Sequence, residues 1–276
     1  MDATSSTYPL RFHPAIGAEP GRFRRLAMLL MHYRTELASL AGPVYVLLPT
    51  DLSDEHRHQL QAQLAELWPP PYKVHLLPCQ PQRPCLHWLT LQQQLDRGQP
   101  LSLLAFDSPV PTVASHLLGG TASEGLMALS VQPADTGLAL STLAQGLHLT
   151  HAFSEEEAID QALLRQCLAT SSAPLHHLLP PAGCRQQTQW LDLYEHISER
   201  AADTLQIHHP EQALGELGAL QLPYRLLYLQ QLLDSEQQAL MLDMASTGHR
   251  SFSLWHNASS TAHTNTPTSI EGEPYG

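Results

Sequence analysis

Residues 101–130 read LSLLAFDSPVPTVASHLLGGTASEGLMALS. The apolar run Leu101 to Phe106 is too short for a helix and stops at Asp107-Ser108-Pro109, as a buried strand that ends in a loop would. Gly119-Gly120-Thr121 then leads through Ser123-Glu124-Gly125 into a second apolar run, Leu126 to Ser130. Strand, loop and neighbouring strand are the unit around which the rest of the chain is arranged.

Upstream, Phe23, Leu26, Leu29, Leu30, Tyr33, Leu37 and Leu40 keep one apolar face at helical spacing until Ala41-Gly42-Pro43. Val44 to Leu48 is short and β-branched, hence a strand. Ser53 is placed to cap a helix carrying Leu60, Leu64 and Leu67, which the prolines at 69–71 end. Val74 to Leu77 is a further short strand, and a helix from Leu86 to Asp96 stops at Gly98. Strand, helix, strand, helix, strand argues a layered α/β sheet.

Downstream, Gly137 to Leu149 is a long strand with a bend expected at Gly146, and Ser154 with Glu157 forms a capping box for the next helix. Leu175 to Leu179 has strand character, residues 187–203 fit either strand or helix, and an apolar helix follows Gly215-Glu216-Leu217-Gly218-Ala219. Two strands, Ala239 to Met244 and Ser251 to Trp255, close the pattern. Residues 1–20 are expected to form a flexible arm, and the Ser, Thr, Asn and Pro composition of 258–276 predicts a disordered tail.

With 43% hydrophobic residues the 276-residue chain can bury a sizeable core. The net charge of −12, with Lys73 the one lysine, excludes nucleic acid and an anionic membrane surface as partners. Cys79, Cys85, Cys167 and Cys184 show neither CxxC nor zinc-like spacing, so free thiols are expected and no cofactor or metal is implied. MDATSSTYPLRFHP lacks the apolar core of a signal peptide, and no run approaches a membrane span; the expectation is a cytoplasmic protein.

The helix ending at Gly98, the strand closing on Asp107-Ser108, the Ser123-Glu124-Gly125 loop, Gly215-Glu216-Leu217-Gly218-Ala219 and the closing strands around Ser246-Thr247-Gly248-His249-Arg250 occur in an order that resembles the thiolase fold of β-ketoacyl synthases. The resemblance covers Val44 to His256. It implies a layered α/β thiolase-like fold, shortened at its N-terminus, in a domain 21–257 made of two pseudo-repeat halves, about 21–135 and 136–257.

The resemblance also implies a nucleophilic cysteine at a helix start and two histidines, and here the sequence departs from it. The position of the cysteine falls near Pro81, in a segment that cannot offer a run of N–H donors. No residue stands out as catalytic; Cys79 and Cys85 flank that position without the small-residue setting a nucleophile requires, and Cys85, the one candidate nucleophile, suits a packed thiol better. The histidine after the later glycine is Glu216, whose carboxylate would repel the charge a histidine stabilises. The motif of histidine followed by Gly-Thr is absent.

The reading is a degenerate, non-catalytic relative acting as an accessory or adaptor that binds a protein partner or itself as a homodimer. Similar ketosynthase-like proteins stand beside bacterial type VI secretion genes, an association implied by the resemblance. The alternative is an acyltransferase or condensing enzyme on acyl thioesters, or the inactive partner subunit of one. Among other constellations, the seventeen histidines include His56, His58 and the adjacent pairs His176-His177 and His208-His209, in none of which both rings share a face. Ser108 and Ser123 lack a Gly-x-Ser-x-Gly elbow, and Gly119-Gly120 lacks the Lys-Ser/Thr of a phosphate loop.

Overall fold

The structure, a computed structural model, describes residues 10–11, 13–17, 21–49, 52–69, 73–79, 88–108, 122–134, 136–147, 153–181, 189–215, 217–244, 249–258 and 268–271. The chain divides into two compact units, Met1–Pro133 with Glu211–Tyr224, and Ala134–Pro210 with Arg225–Gly276. Among the described residues no helix is long and apolar enough to cross a membrane.

In the first unit the order is β1 (Leu10–Arg11), α1 (Arg22–His32), α2 (Arg34–Leu37), β2 (Val44–Pro49), α3 (Asp54–Leu67), β3 (Val74–Cys79), α4 (Trp88–Asp96), β4 (Leu101–Asp107), β5 (Ala122–Ser123) and β6 (Gly125–Val131). Its main sheet runs β3-β2-β4-β6, parallel except for β6. Every residue of β2 and β4 is buried, as inner strands of a mostly parallel sheet are. Leu26, Leu30, Leu60, Leu64, Val46, Leu104 and Phe106 pack in one cluster, and each such side chain withdrawn from water contributes about 1.5–3 kcal/mol. Ser53 caps α3 by accepting from the His56 N–H at 3.2 Å, as its position before Asp54 predicts. The helix expected over 22–40 is interrupted at Tyr33, between α1 and α2.

The second unit contains β7 (Gly137–Leu147), α5 (Phe153–Leu168), β8 (Leu175–Leu179), α6 (Tyr194–Ser198), β9 (Ala201–Ile207), β10 (Gln238–Met244), β11 (His249–Ala258) and β12 (Thr268–Glu271); α7 (Gln221–Leu232) begins in the first unit's segment. The sheet order is β12-β7-β11-β10-β8-β9. Four of these strands repeat the first unit: β9-β8-β10 are parallel and β10-β11 antiparallel, as β3-β2-β4 and β4-β6 are.

Several expectations are corrected. The open choice over 187–203 resolves as a 3-10 turn at Gln189–Leu193, then α6, with β9 starting at Ala201. The irregularity in β7 is a bulge at Ser141, opposite the Leu254/Trp255 step, rather than a bend at Gly146. Gly146 instead lets α5 approach: a Cβ there would stand 2.7 Å from Leu163 Cδ1. Helix α5 begins at Phe153, so Ser154 lies inside its first turn and not at the cap.

Short strands are described within both terminal segments. Within the expected arm, β1 pairs with β5, and His13 to Gly17 make hydrogen bonds to the core of the unit. Within 258–276, β12 pairs in parallel with Thr142–Gln145 of β7. The outer edge of a strand offers N–H and C=O groups to any extended segment, whatever its side chains, so composition does not register such pairing.

Gly42 sets the spacing between the starts of β2 and β4. It has φ +78°, and a Cβ would lie 2.9 Å from the Pro100 carbonyl oxygen, while Ser102 N donates to Pro43 O at 2.9 Å and Ser102 Oγ to Ala41 O at 2.8 Å. Gly42→Ala places a side chain in the left-handed region and against backbone, and should destabilise the protein by more than about 1 kcal/mol, read as a lowered denaturant midpoint at unchanged slope.

Candidate functional site

An open α/β sheet presents its binding crevice at the carboxyl ends of its parallel strands. In the first unit that end is where β4 stops at Asp107-Ser108 and where Ser123-Glu124 precedes the antiparallel β6. Three further segments reach it: His13 to Gly17, Arg22 and Arg25 of α1, and residues 214–220.

Glu124 is the hub. Its Oε1 accepts from the His13 N–H at 3.0 Å and Arg25 Nη2 at 2.8 Å, and its Oε2 accepts from Arg25 Nε at 2.5 Å and the Ser108 hydroxyl at 2.6 Å. The two side chains of the ion pair are 2% and 0% exposed. Four accepted bonds fill about four lone-pair directions of a carboxylate. Burial pushes the Glu124 carboxyl upward, yet the bonds from Arg25, Ser108 and the His13 N–H, with the Arg25 charge, outweigh it and hold the group below its usual 4.5. It stays ionised with no acceptor capacity left, which suits neither a general acid nor a base.

Asp107 is the second hub. Arg22 Nη2 donates to its Oδ1 at 2.7 Å, the Ser108 N–H donates to the same atom at 2.7 Å, and the Ala219 N–H donates to Oδ2 at 2.9 Å. Burial holds Asp107 above its usual 3.8 against the pull of Arg22 and these bonds. Gly218 is required beside it: φ is +55°, and a Cβ would fall on the carboxylate. Ser123 Oγ donates to Leu214 O at 2.6 Å, so the 214–220 segment is fastened at two points. The Tyr33 hydroxyl lies 2.6 Å from His13 Nε2 and fixes the other flank.

Two cysteines, Cys79 and Cys167, lie among the described residues. Cys79 ends strand β3 opposite Pro49, not the start of a helix. Cys167 of α5 is buried, donates to Phe252 O at 3.4 Å, and burial pushes its thiol up to about 12, so it remains protonated. Cys85, Pro81 and Glu216, singled out from the sequence, lie outside the described residues, as does Cys184. Among the described residues no group of three or more His, Cys, Asp or Glu side chains is arranged to hold a metal ion.

Of the residues the sequence singled out, Ser108, Ser123 and Glu124 come together here, beside Asp107. The arginines that complete the cluster were not foreseen. Arg22 and Arg25 stand three apart on α1, so they share a face with buried Leu26 and Leu29, and a charge on an apolar stripe was the available signal. The second unit also holds buried pairs: Arg225 of α7 with Asp243 at 3.3 Å, and Arg250 with Asp160 at 3.1 Å.

No protein-family model matches the chain, and no curated protein matches it. Solved structures do. The 3-oxoacyl-[acyl-carrier-protein] synthase III of Aquifex aeolicus is 12% identical, covering 85% of this chain and 83% of its own, with a TM-score of 0.54. An oxazolomycin ketosynthase domain of Streptomyces albus is 13% identical over 92% and 84% of the two chains, with a TM-score of 0.55. A bacterial type III polyketide synthase of Streptomyces coelicolor is 12% identical over 88% and 83%, with a TM-score of 0.56. The chain has the thiolase-like fold of these condensing enzymes, and at such identities the likeness concerns the fold.

Removing one partner of the hub pair leaves the other charge buried. Arg25→Met should cost about 3–5 kcal/mol, and Arg25→Met combined with Glu124→Leu should recover much of it, in denaturant titrations of the three proteins. Because the Glu124 carboxyl is depressed on folding, its contribution is present above about pH 4.5 and is lost as the pH falls through its lower folded value. Glu124→Gln should flatten the loss of stability in that acid range.

Proposed function

We propose, with the thiolase-like fold as premise, that this protein is a non-catalytic relative of the condensing enzymes and serves as an accessory or adaptor that binds another protein, or a second copy of itself. The observation that carries this reading is the Asp107–Ser108–Glu124 cluster. At the sheet end where an α/β enzyme offers groups to a substrate, the first unit has two carboxylates whose described oxygens accept from its own arginines, hydroxyl and backbone. Condensation needs a thiolate beside preorganised donors for the developing negative charge. Cys167 is held protonated, and Cys79 belongs to a strand. Pro81 and Glu216 in the positions of cysteine and histidine point the same way. A place beside a bacterial type VI secretion apparatus belongs to the same proposal and rests on the sequence resemblance.

A second reading is supported by the nature of the structural neighbours, which are named as synthases and ketosynthases. Under it the protein is an acyltransferase or condensing enzyme acting on acyl thioesters. The two separate on one experiment. After incubation of the full chain with an acyl thioester donor, intact-mass and peptide mass spectrometry should find no acyl adduct on any of the four cysteines. Stoichiometric acylation of Cys79 or Cys85 would overturn the non-catalytic reading.

A further inference from the structure

In the second unit, away from the cluster at Glu124, three ring side chains form a continuous hydrogen-bonded line. His177 of β8 is 5% exposed, and its Nδ1 lies 3.0 Å from His208 Nε2. His208 Nδ1 lies 2.8 Å from the Tyr228 hydroxyl of α7. At the other end, His177 Nε2 lies 3.0 Å from Gln237 Oε1. That oxygen already accepts from the Asp234 N–H at 3.1 Å, so it faces His177 as an acceptor.

This fixes every proton in the line. His177 Nε2 donates to Gln237, so in the neutral ring Nδ1 is an acceptor; His208 Nε2 must then donate to it, which leaves His208 Nδ1 to accept from Tyr228 O–H. One added proton keeps the contacts, because His208 Nδ1–H can donate to the phenol oxygen, but it leaves a charge on a partly buried ring. A second does not fit. It sets His177 Nδ1–H against His208 Nε2–H across 3.0 Å, with two like charges in contact.

The line stands at an irregular edge of the sheet. Strand β9 is the outer strand, and its pairing to β8 passes from Leu175↔Ala201 directly to His177↔Gln206, so the residues between are out of register. Asp203, Thr204, Gln206 and Ile207 are exposed, which gives β9 little apolar burial to hold it. Beyond the ladder, the His208 N–H donates to Leu178 O at 2.8 Å, at the same point as the ring contact.

We propose that His177, His208 and Tyr228 form a proton-operated latch that holds the end of β9 against β8 and α7, and that releases it when acid brings the line more protons than its hydrogen bonds can orient. Burial, then the charges of His177 and His209, hold His208 below the usual histidine value of 6.5. His176, the other ring on β8, is engaged with the Gln238 N–H at 3.3 Å. The neighbouring carboxylates, Asp203 on β9 and Asp234 and Glu236 after α7, are solvent-exposed. A histidine with a depressed folded pKa contributes stability that is fully present above about 6.5 and is lost as the pH falls through the folded value. The latch is therefore closed at neutral pH and open in acid, and it is independent of whether the protein catalyses anything.

Hydrogen exchange of the full chain, corrected for intrinsic exchange rates, tests this. Protection of residues 201–208 should fall at least about tenfold between about pH 8 and about pH 5, while β2 and β4 keep theirs. In His208→Gln, whose amide takes no proton, that fall should vanish. Tyr228→Phe removes the acceptor that accommodates the first proton, so its opening should begin at higher pH than in the unaltered protein. Unchanged protection of 201–208 in acid, or the same fall in His208→Gln, overturns the proposal. If that variant does not fold, a Tyr228→Phe midpoint equal to that of the unaltered protein does so.

Discussion

Arg25 and Glu124 share two N–H···O bonds with almost no access to solvent, and much of the first unit is arranged so that this can happen. An ion pair removed from water gains little over an apolar replacement, but leaving either charge alone is very costly. The pair therefore acts as a constraint more than as a source of stability. It obliges α1 to dock with Arg25 inward, the segment before β6 to turn its carboxylate inward, and the chain at His13 to close over the remaining lone pair. Packings that separate these segments strand a buried charge, so the hub selects one arrangement of the layers.

The two units use related devices. In each, a central strand flanked by one parallel and one antiparallel neighbour carries an aspartate at or beside its last residue, Asp107 in β4 and Asp243 in β10. Each aspartate is bound by an arginine from a helix, Arg22 from α1 and Arg225 from α7. Arg225 also donates to Pro180 O at 2.7 Å, so the second unit ties a loop to its strand end as the first ties the 214–220 segment to Asp107. What the repeat preserves is an aspartate at or beside the strand terminus bound by an arginine from a helix.

Much of the fold was legible. The short apolar runs at 44–48, 101–106 and 239–244 became β2, β4 and β10, because strands buried on both faces need unbroken hydrophobicity, and the run at 74–77 became β3, the half-buried outer strand. Ser53 and Gly98 marked real helix boundaries, the latter with its N–H bonded to Leu95 O. The site was half legible. Ser123-Glu124-Gly125 drew attention as a loop before a strand, but nothing local says that Glu124 meets Arg25. Residues 187–203 resisted because a 3-10 turn, a single helical turn and a half-exposed strand follow one another too closely for either periodicity to develop. The pairing of β1 and β12 was invisible because it is made by backbone groups at strand edges.

The order in which the chain is threaded has a consequence for its synthesis. Arg25 waits 99 residues for Glu124, and Asp107 waits 112 for the Ala219 N–H. A ribosome has therefore produced β7, α5, β8 and β9 of the second unit before the segment that completes the first has emerged. Domains that are contiguous in sequence fold one after another as they leave the exit tunnel. Here that vectorial route is interrupted: the Arg25–Glu124 and Arg22–Asp107 pairs can close early, but the bond from the Ala219 N–H to Asp107 and the bond from Ser123 to Leu214 O wait until those strands and helices of the second unit have been made.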